Sequence, residues 1–180
     1  MAMTLLLGGA ASGKSRTASA LAAGTGRRVT VLATAEALDD EMVARIARHR
    51  VQRPATWNVV EEPLAIGAAI DRIVEADVLI VDCLTLWVSN LLGNEAMSDD
   101  EVCTRAASAA NACAARGAPT IVVSNEVGAG IVPANALARR YRDLLGRVNA
   151  IFADEASTVA LMVAGRAVTL SDPLATLEKG

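Results

Sequence analysis

The sequence predicts an α/β protein with a mostly parallel central sheet and helices on both faces. Short apolar runs of strand length alternate with helical patterns along the 180 residues, which is the order that a parallel sheet requires. Aromatic residues are rare, with two Trp, one Tyr and one Phe, so Ala, Val, Leu and Ile must build the core. No repeat or linker divides the chain, and residues 1–180 are therefore expected to form a single domain.

Each element is predicted from its own local pattern. The most compact apolar run, at 78–81, is typical of a buried strand and ends directly at Asp82. The helix at 39–52 has three acids in its first turn and arginines toward its end, which matches the helix dipole, and the helix at 98–116 begins with Ser98 and with Glu101 three residues on. The predicted strands are 3–7, 29–33, 56–60, 78–81, 120–124 and 158–163, and the predicted helices run to about 23 from the first turn and then cover 39–52, 64–75, 84–92, 98–116 and 135–153.

Charge and cysteine content exclude several classes of protein. The net charge of -3 argues against a nucleic-acid-binding protein, which usually has a basic surface. Cys83, Cys103 and Cys113 are odd in number and form no CxxC pair, so we expect reduced thiols and neither disulfides nor a zinc site. The N-terminus lacks the basic segment of a signal peptide, and the longest internal uncharged stretch, 83–94, is far shorter than the ~20 residues of a membrane span. We therefore expect a cytoplasmic protein.

The segment GGAASGKS, residues 8–15, matches the phosphate-binding pattern G-x-x-x-x-G-K-[ST]. Glycines let the backbone curl so that its N–H groups point at phosphate oxygens, and the following helix adds its positive end. Lys14 is expected to reach the β- and γ-phosphates of a nucleoside triphosphate, and the Ser15 hydroxyl to coordinate Mg²⁺. A chance match in a glycine-rich turn is the alternative, but the motif follows a strand and opens a helix, as this chemistry requires.

Asp82 is the expected second anchor for Mg²⁺. It ends an apolar strand, and P-loop enzymes place at such a strand end an acid that holds Mg²⁺ through water. Because many strands end in Asp, the phosphate loop in the same chain is what favours this interpretation.

The single histidine, His49, lies with four arginines in the segment RIARHRVQRP. At helical spacing Arg45, His49, Gln52 and Arg53 share one face, and Pro54 ends the helix. One interpretation is a solvated basic surface. The other is a nucleophilic site, because a neutral imidazole attacks well near neutral pH and guanidinium groups bind and neutralise phosphate. The residues alone leave both open.

Five segments of the chain carry a resemblance to a known family. They are GGAASGKS, ATAEALDDEM, RIARHRVQRPATW with EEP after it, VLIVDCLTLWVSNLL, and SNEVGAGIVPANALARRYRDLLGRVN, and they span residues 5–149. The chain resembles the bifunctional adenosylcobinamide kinase/adenosylcobinamide-phosphate guanylyltransferase of cobalamin biosynthesis. The phosphate loop alone is not specific for this family, but the histidine segment and the NEVGAGIVP loop in one chain are.

The resemblance implies a RecA-like P-loop fold, a homotrimer and two reactions. In the first, the aminopropanol hydroxyl of adenosylcobinamide takes a phosphoryl group from ATP or GTP. In the second, GTP loses pyrophosphate and its GMP passes to a histidine and then to adenosylcobinamide phosphate, giving adenosylcobinamide-GDP. The guanylylated histidine of the family matches His49, which joins Lys14 as an expected catalytic residue. The nucleotide contacts of the family match Gly8, Gly9, Ala10, Ala11, Ser12, Gly13, Lys14, Ser15, Ala33, Thr34, Ala35, Arg50, Val51, Gln52, Arg53, Glu61 and Asp82.

The chain departs from the family pattern at a few positions. Ala11 stands where the phosphate loop of the family often has Arg, which is expected to alter how a nucleotide tail is held, and Ala150 replaces a polar residue. Asn125 and Glu126 of the NEVGAGIVP loop are expected near the site without a catalytic role. The tail at 165–180 matches poorly and is assigned no role.

Three other functions stay open at this point. A plain small-molecule kinase on the same fold would need the phosphate loop and Asp82 but no nucleophilic His49. A GTP-binding regulatory switch would need an N-K-x-D motif to recognise guanine, which the sequence lacks. A motor or recombinase subunit would carry more DNA-binding charge.

Overall fold

The computed structural model describes residues 3–37, 39–93 and 97–172, which form one seven-stranded sheet and six helices. The strands are β1 (Met3–Gly8), β2 (Val29–Ala33), β3 (Asn58–Glu61), β4 (Val78–Asp82), β5 (Thr120–Val123), β6 (Thr158–Val163) and β7 (Arg166–Leu170). The helices are α1 (Lys14–Gly24), α2 (Asp40–Gln52), α3 (Ile66–Ile70), α4 (Leu84–Gly93), α5 (Asp99–Ala115) and α6 (Ala136–Glu155). The strand order is β3-β2-β4-β5-β1-β6-β7, and only the β6–β7 pair is antiparallel. The predicted fold class is confirmed.

Two helical layers bury the sheet. Alternate residues of β1 point to opposite faces, as the two-residue period of a strand requires. Leu5 and Leu7 pack into the larger core with α3, α4, α5 and α6, whereas Leu6 packs into a smaller core with α1. Each fully buried Leu contributes about 1.5–3 kcal/mol, so the central strands supply much of the stability. Among the described residues, no helix is both long and apolar enough to cross a membrane.

The helix predicted at 64–75 is wrong in length, because α3 covers only Ile66–Ile70. Just before α3, the Glu62 carboxylate accepts hydrogen bonds from two backbone N–H groups and holds the chain in a turn. After α3, the buried Arg116 guanidinium donates to three carbonyl groups within 73–77. These contacts, from a side chain at the end of α5, hold the segment after α3 in its turns.

The other predicted elements agree with the structure to within two residues at each end. The strand β3 begins at Asn58, two residues later than predicted, because the N–H of Trp57 closes a turn onto the carbonyl of Pro54 at 3.0 Å. The predicted capping box of α5 is present, with Ser98 and Glu101 each bonding the other's backbone N–H.

The strand β7 was not predicted. No role was assigned to the tail at 165–180 from the sequence, and this was wrong for the part of the tail that forms β7. Arg166–Leu170 adds an antiparallel edge strand beside β6. All five of its residues are exposed, so no alternation of buried and exposed positions marks it in the sequence. Residues 173–180 of that tail lie outside the described residues.

Candidate active site

The phosphate loop runs from the end of β1 into α1, and glycine is required at two of its positions. Gly8 has a φ of 147°, and a Cβ there would lie 2.4 Å from the backbone oxygen of Met162. Gly13 has a φ of 98°, and a Cβ there would lie 3.1 Å from the Cα of Gly165. Gly13 also precedes α1 without a side-chain cap, so the first N–H groups of the helix are not bound by a capping side chain. This is the shape that the sequence motif predicts.

Lys14 is folded back into the loop. It is 7% exposed, and its Nζ donates to the carbonyl of Gly8 at 2.8 Å, to the carbonyl of Gly9 at 2.7 Å and to the Ser12 hydroxyl at 3.3 Å. The ammonium group is therefore held within the curl of the backbone that is shaped for phosphate. Oxygen atoms of a phosphate carry more negative charge than these carbonyls and would bind the same ammonium more strongly.

Asp82 ends β4 with a side chain that is 14% exposed. Arg53 donates a 2.7 Å hydrogen bond to Oδ2 of Asp82, and Nδ1 of His49 lies 3.7 Å from the same oxygen. Burial by itself raises the pKa of the Asp82 carboxyl, but the interactions with His49 and Arg53 outweigh it and keep that pKa below its ordinary value. The carboxylate is therefore ionised at neutral pH.

The end of helix α2 is connected to the carboxyl ends of two strands by ion pairs. Asp39 caps its start by accepting a 2.7 Å hydrogen bond from the N–H of Met42. Near its end, Arg50 pairs with Glu61 at the end of β3, and Arg53 pairs with Asp82 at the end of β4. These two contacts bring His49 to the strand ends although it is far from the phosphate loop in the sequence.

Thr34 supports the site from behind. Its side chain is fully buried, and its hydroxyl donates to the carbonyl of Cys83 at 2.7 Å and accepts from the N–H of Cys83 at 2.9 Å. Asn90 donates to the carbonyl of Thr34 at 2.7 Å. Thr34 thus fixes the backbone directly after Asp82, where the Asp82–Cys83 peptide bond is cis.

A cleft of about 470 Å³ brings most of the predicted residues together. The predicted residues that line it are Ala10, Ala11, Ser12, Gly13, Lys14, Ser15, Ala33, Ala35, His49, Arg50, Arg53, Glu61 and Asp82. Gly8, Gly9 and Thr34 lie behind this lining and shape it through the backbone contacts described above. Val51 is 87% exposed and does not line the cleft, and the side chain of Gln52 lies outside the described part of the chain.

The cleft is also lined by residues that were not predicted as site residues from the sequence. They are Arg16, Met42, Ile46, Cys83, Leu86, Val123, Asn125, Ala164 and Gly165. A signal existed for Asn125, which was expected nearby, and for Cys83, because both follow strand ends. Gly165 had no signal. Its N–H donates to the carbonyl of Ser12 at 2.9 Å, so the β6–β7 turn closes one side of the phosphate loop.

The oxygen ligands of the cleft suit a hard cation that takes most of its other ligands from the nucleotide and from water. The Ser15 hydroxyl and the Asp82 carboxylate both line it, and both are oxygen ligands of the kind that Mg²⁺ prefers. Within the described ranges, no group of three or more His, Cys, Asp or Glu side chains is arranged to hold a metal ion. A metal here would thus depend on phosphate oxygens and water for its remaining ligands, as is usual for Mg²⁺ bound with a nucleotide.

The parallel sheet and the loop between β1 and α1 define a nucleotide-binding protein of the P-loop NTPase class with a RecA-like fold. The solved RadB recombinase has a similar fold, with a TM-score of 0.50 and 15% identity over 89% of this chain and 73% of that one. Sequence comparison is more specific. A family model described as cobinamide kinase / cobinamide phosphate guanyltransferase matches residues 4–170, and the chain belongs to this family of enzymes.

Two relatives agree with this membership over almost their whole lengths. The bifunctional adenosylcobalamin biosynthesis protein CobP of Pseudomonas aeruginosa is 44% identical, over 94% of this chain and 98% of the relative. The bifunctional adenosylcobalamin biosynthesis protein CobU of Escherichia coli is 40% identical, over 93% of this chain and 99% of the relative. The resemblance that the motifs indicated is confirmed.

Proposed function

We propose that this enzyme catalyses both reactions of its family in adenosylcobalamin biosynthesis. It phosphorylates adenosylcobinamide with ATP or GTP, and it transfers GMP from GTP, by way of His49, to adenosylcobinamide phosphate. The products of the second reaction are adenosylcobinamide-GDP and pyrophosphate. The observation that carries the proposal is that one cleft is lined both by the phosphate loop and by His49 with two arginines. A plain kinase needs only the first of these groups.

In the kinase step, the phosphate loop holds the triphosphate of ATP or GTP, and Lys14 binds phosphate oxygens in place of loop carbonyls. The hydroxyl oxygen of the aminopropanol arm attacks the γ-phosphorus, the bond from that phosphorus to the bridging oxygen breaks, and ADP or GDP leaves while the hydroxyl proton passes to water. Lys14 and the N–H groups of the loop stabilise the charge that develops on the phosphoryl oxygens. Mg²⁺, held by Ser15 and Asp82, would neutralise further phosphate charge.

In the guanylyl-transfer step, the imidazole of His49 attacks the α-phosphorus of GTP, and pyrophosphate leaves as the P–N bond forms. A phosphate oxygen of adenosylcobinamide phosphate then attacks the same phosphorus, and the P–N bond breaks. The covalent intermediate divides one difficult transfer into two easier ones. Arg50 and Arg53 line the same cleft beside His49, where guanidinium groups can bind the phosphates and offset their charge.

The proposal is tested by incubating the protein with Mg²⁺ and GTP labelled on the α-phosphate. We expect an acid-labile, base-stable label on the denatured wild type and none on His49→Ala, which should still phosphorylate adenosylcobinamide. Arg48→Ala is the matched control, because Arg48 is exposed on the same helix and does not line the cleft. If the wild type phosphorylates adenosylcobinamide but takes up no covalent label, the enzyme is a kinase alone.

Assembly and location are further parts of the proposal. The family resemblance supports a homotrimer, and we expect the enzyme in the cytoplasm with the other parts of this proposal. Sedimentation equilibrium of the purified chain should give three times the protomer mass. A monomeric mass for a protein with full activity would remove the trimer from the proposal.

A further inference from the structure

The two ring nitrogens of His49 have different surroundings. Nδ1 faces Oδ2 of Asp82 at 3.7 Å, and the same oxygen accepts a 2.7 Å hydrogen bond from Arg53. The imidazole is 32% exposed and lines both the large cleft and an adjoining cavity of about 390 Å³. The two nitrogens are separated by one ring carbon and point outward in different directions, so that Nε2 is directed away from the carboxylate when Nδ1 faces it.

The position of Asp82 determines which nitrogen of His49 is nucleophilic. A carboxylate beside one ring nitrogen favours the tautomer with the proton on that nitrogen and leaves the lone pair on the other. The carboxylate itself is fixed, because Arg53 binds it and Arg53 is only 13% exposed. The helix that carries His49 is held a second time by the pair of Arg50 with Glu61. Nδ1 therefore faces a carboxylate that is itself held in place by a buried arginine.

Building on the function proposed above, we propose that Asp82 is a positioning residue for His49 and that Nε2 of His49 carries the guanylyl group. The sequence predicted Asp82 as an anchor for Mg²⁺ and, through the family resemblance, as a nucleotide contact. Its contacts add a role in the second reaction, in which it sets the tautomer and orientation of the nucleophile. A buried carboxylate that also binds the arginine directly after the same helix is well suited to this role, because the ion pair holds the carboxylate in place beside the ring.

The transfer balances without any proton entering or leaving the ring. The lone pair on Nε2 forms the bond to the α-phosphorus of GTP, and the bond from that phosphorus to the bridging oxygen breaks, so that pyrophosphate leaves with the electron pair. The product is an imidazolium that keeps its Nδ1 proton, and the Asp82 carboxylate stabilises its positive charge. In the second half, an acceptor phosphate oxygen attacks and the P–N electron pair returns to Nε2.

The first test identifies the nitrogen that is modified in the wild-type protein. His49 is the only histidine in the chain, so an untagged protein made with ¹⁵N-histidine gives one pair of ring nitrogen signals. After reaction with GTP and Mg²⁺, we expect the phosphorus to couple to Nε2, and we expect the Nδ1 signal to be that of a nitrogen that carries a proton. Coupling to Nδ1 would overturn the inference and leave the proposed function intact. Failure to form any P–N bond would overturn both.

The second test separates positioning from a structural role. At saturating GTP, Asp82→Asn should form the guanylyl-histidine roughly 10- to 100-fold more slowly and as a mixture of both nitrogen isomers, with GTP affinity changed much less. Asp82→Glu should restore the Nε2 isomer. Asp154→Asn, an exposed change on α6, is the matched control and should behave as the wild type. Formation of the Nε2 isomer alone at the wild-type rate by Asp82→Asn would exclude the positioning role.

Discussion

The strand β4 has an aspartate at each end, and each aspartate pairs with an arginine. Asp77 directly precedes the strand, and its 4% exposed side chain accepts from Nε of Arg28 at 2.7 Å and from the Thr30 hydroxyl at 2.8 Å. Asp82 ends the strand and accepts from Arg53 at 2.7 Å, with His49 3.7 Å away. The two ion pairs have the same chemistry and the same donor distance.

What differs is the space around each pair. At Asp77 the donors come from β2 and from the residue just before it, and Arg116 binds the neighbouring carbonyls, so the contacts fix the turn that leads into β4. At Asp82 the pair faces a cleft of about 470 Å³ that also contains the phosphate loop. The difference follows from the direction of the sheet, because loops that bind ligands extend from the carboxyl ends of parallel strands. An Asp–Arg pair indicates function only together with its place in the fold.

Among the substitutions that test this comparison, Lys14→Ala is expected to change the reaction rates most. Lys14 supplies a positive charge inside the phosphate loop, so both phosphorylation of adenosylcobinamide and formation of guanylyl-histidine should fall about 10²- to 10³-fold. Initial rates of both reactions check this, with urea unfolding to confirm the fold. Arg27→Ala removes an exposed positive charge near the start of β2, at the opposite edge of the sheet, and should leave both rates unchanged. An active Lys14→Ala enzyme would contradict the assignment of the loop.

Asp77→Asn should show the opposite profile, with reduced stability and normal activity. The change removes the charge that Arg28 and Thr30 bind, and hydrogen bonds to charged groups are worth about 1.5–3 kcal/mol. We expect the free energy of unfolding in urea to fall by about that amount while both reaction rates stay within twofold of the wild type. Asp71→Asn, an exposed change in the same region, is the control. A loss of guanylylation equal to that of Asp82→Asn would break the comparison between the two ends of β4.

The contribution of Asp77 should also depend on pH in a defined direction. Burial by itself raises the pKa of the Asp77 carboxyl, but the hydrogen bonds from Arg28 and Thr30 and the nearby positive charges lower it overall. A carboxyl with a lower pKa in the folded state stabilises the fold above its unfolded pKa of about 3.9, and this stabilisation is lost as the pH falls through the folded value. The difference in unfolding free energy between wild type and Asp77→Asn should be constant from about pH 7 to 5 and shrink below about pH 4. A difference that grows in acid would contradict this.

The sequence predicted the features that depend on local pattern and missed those that depend on distant contacts. The central strands were predictable because a buried parallel strand is continuously apolar, and the phosphate loop was predictable because it has a fixed sequence motif. Asp82 was predictable from its place at a strand end. Its contact with Arg53 was not, because the two residues are 29 positions apart in the sequence and meet only in the folded chain. The turns after α3 likewise contact Arg116, which is distant in the sequence.

The β6–β7 turn is the least predictable part of the site, and Gly165→Ala should have the smallest effect. Gly165 has a φ of 74°, which costs a residue with a Cβ roughly 1–2 kcal/mol, and the added Cβ would lie 2.8 Å from a movable Arg16 nitrogen. We expect a loss of stability of that size and a rise of a few fold in the KM for GTP, because the N–H of Gly165 holds the carbonyl of Ser12 in the phosphate loop. Gly24→Ala, where a Cβ meets nothing within 4 Å, is the control and should be neutral or slightly stabilising. If stability falls as expected but the KM is unchanged, the turn has only a structural role, as Asp77 does, although it borders the cleft.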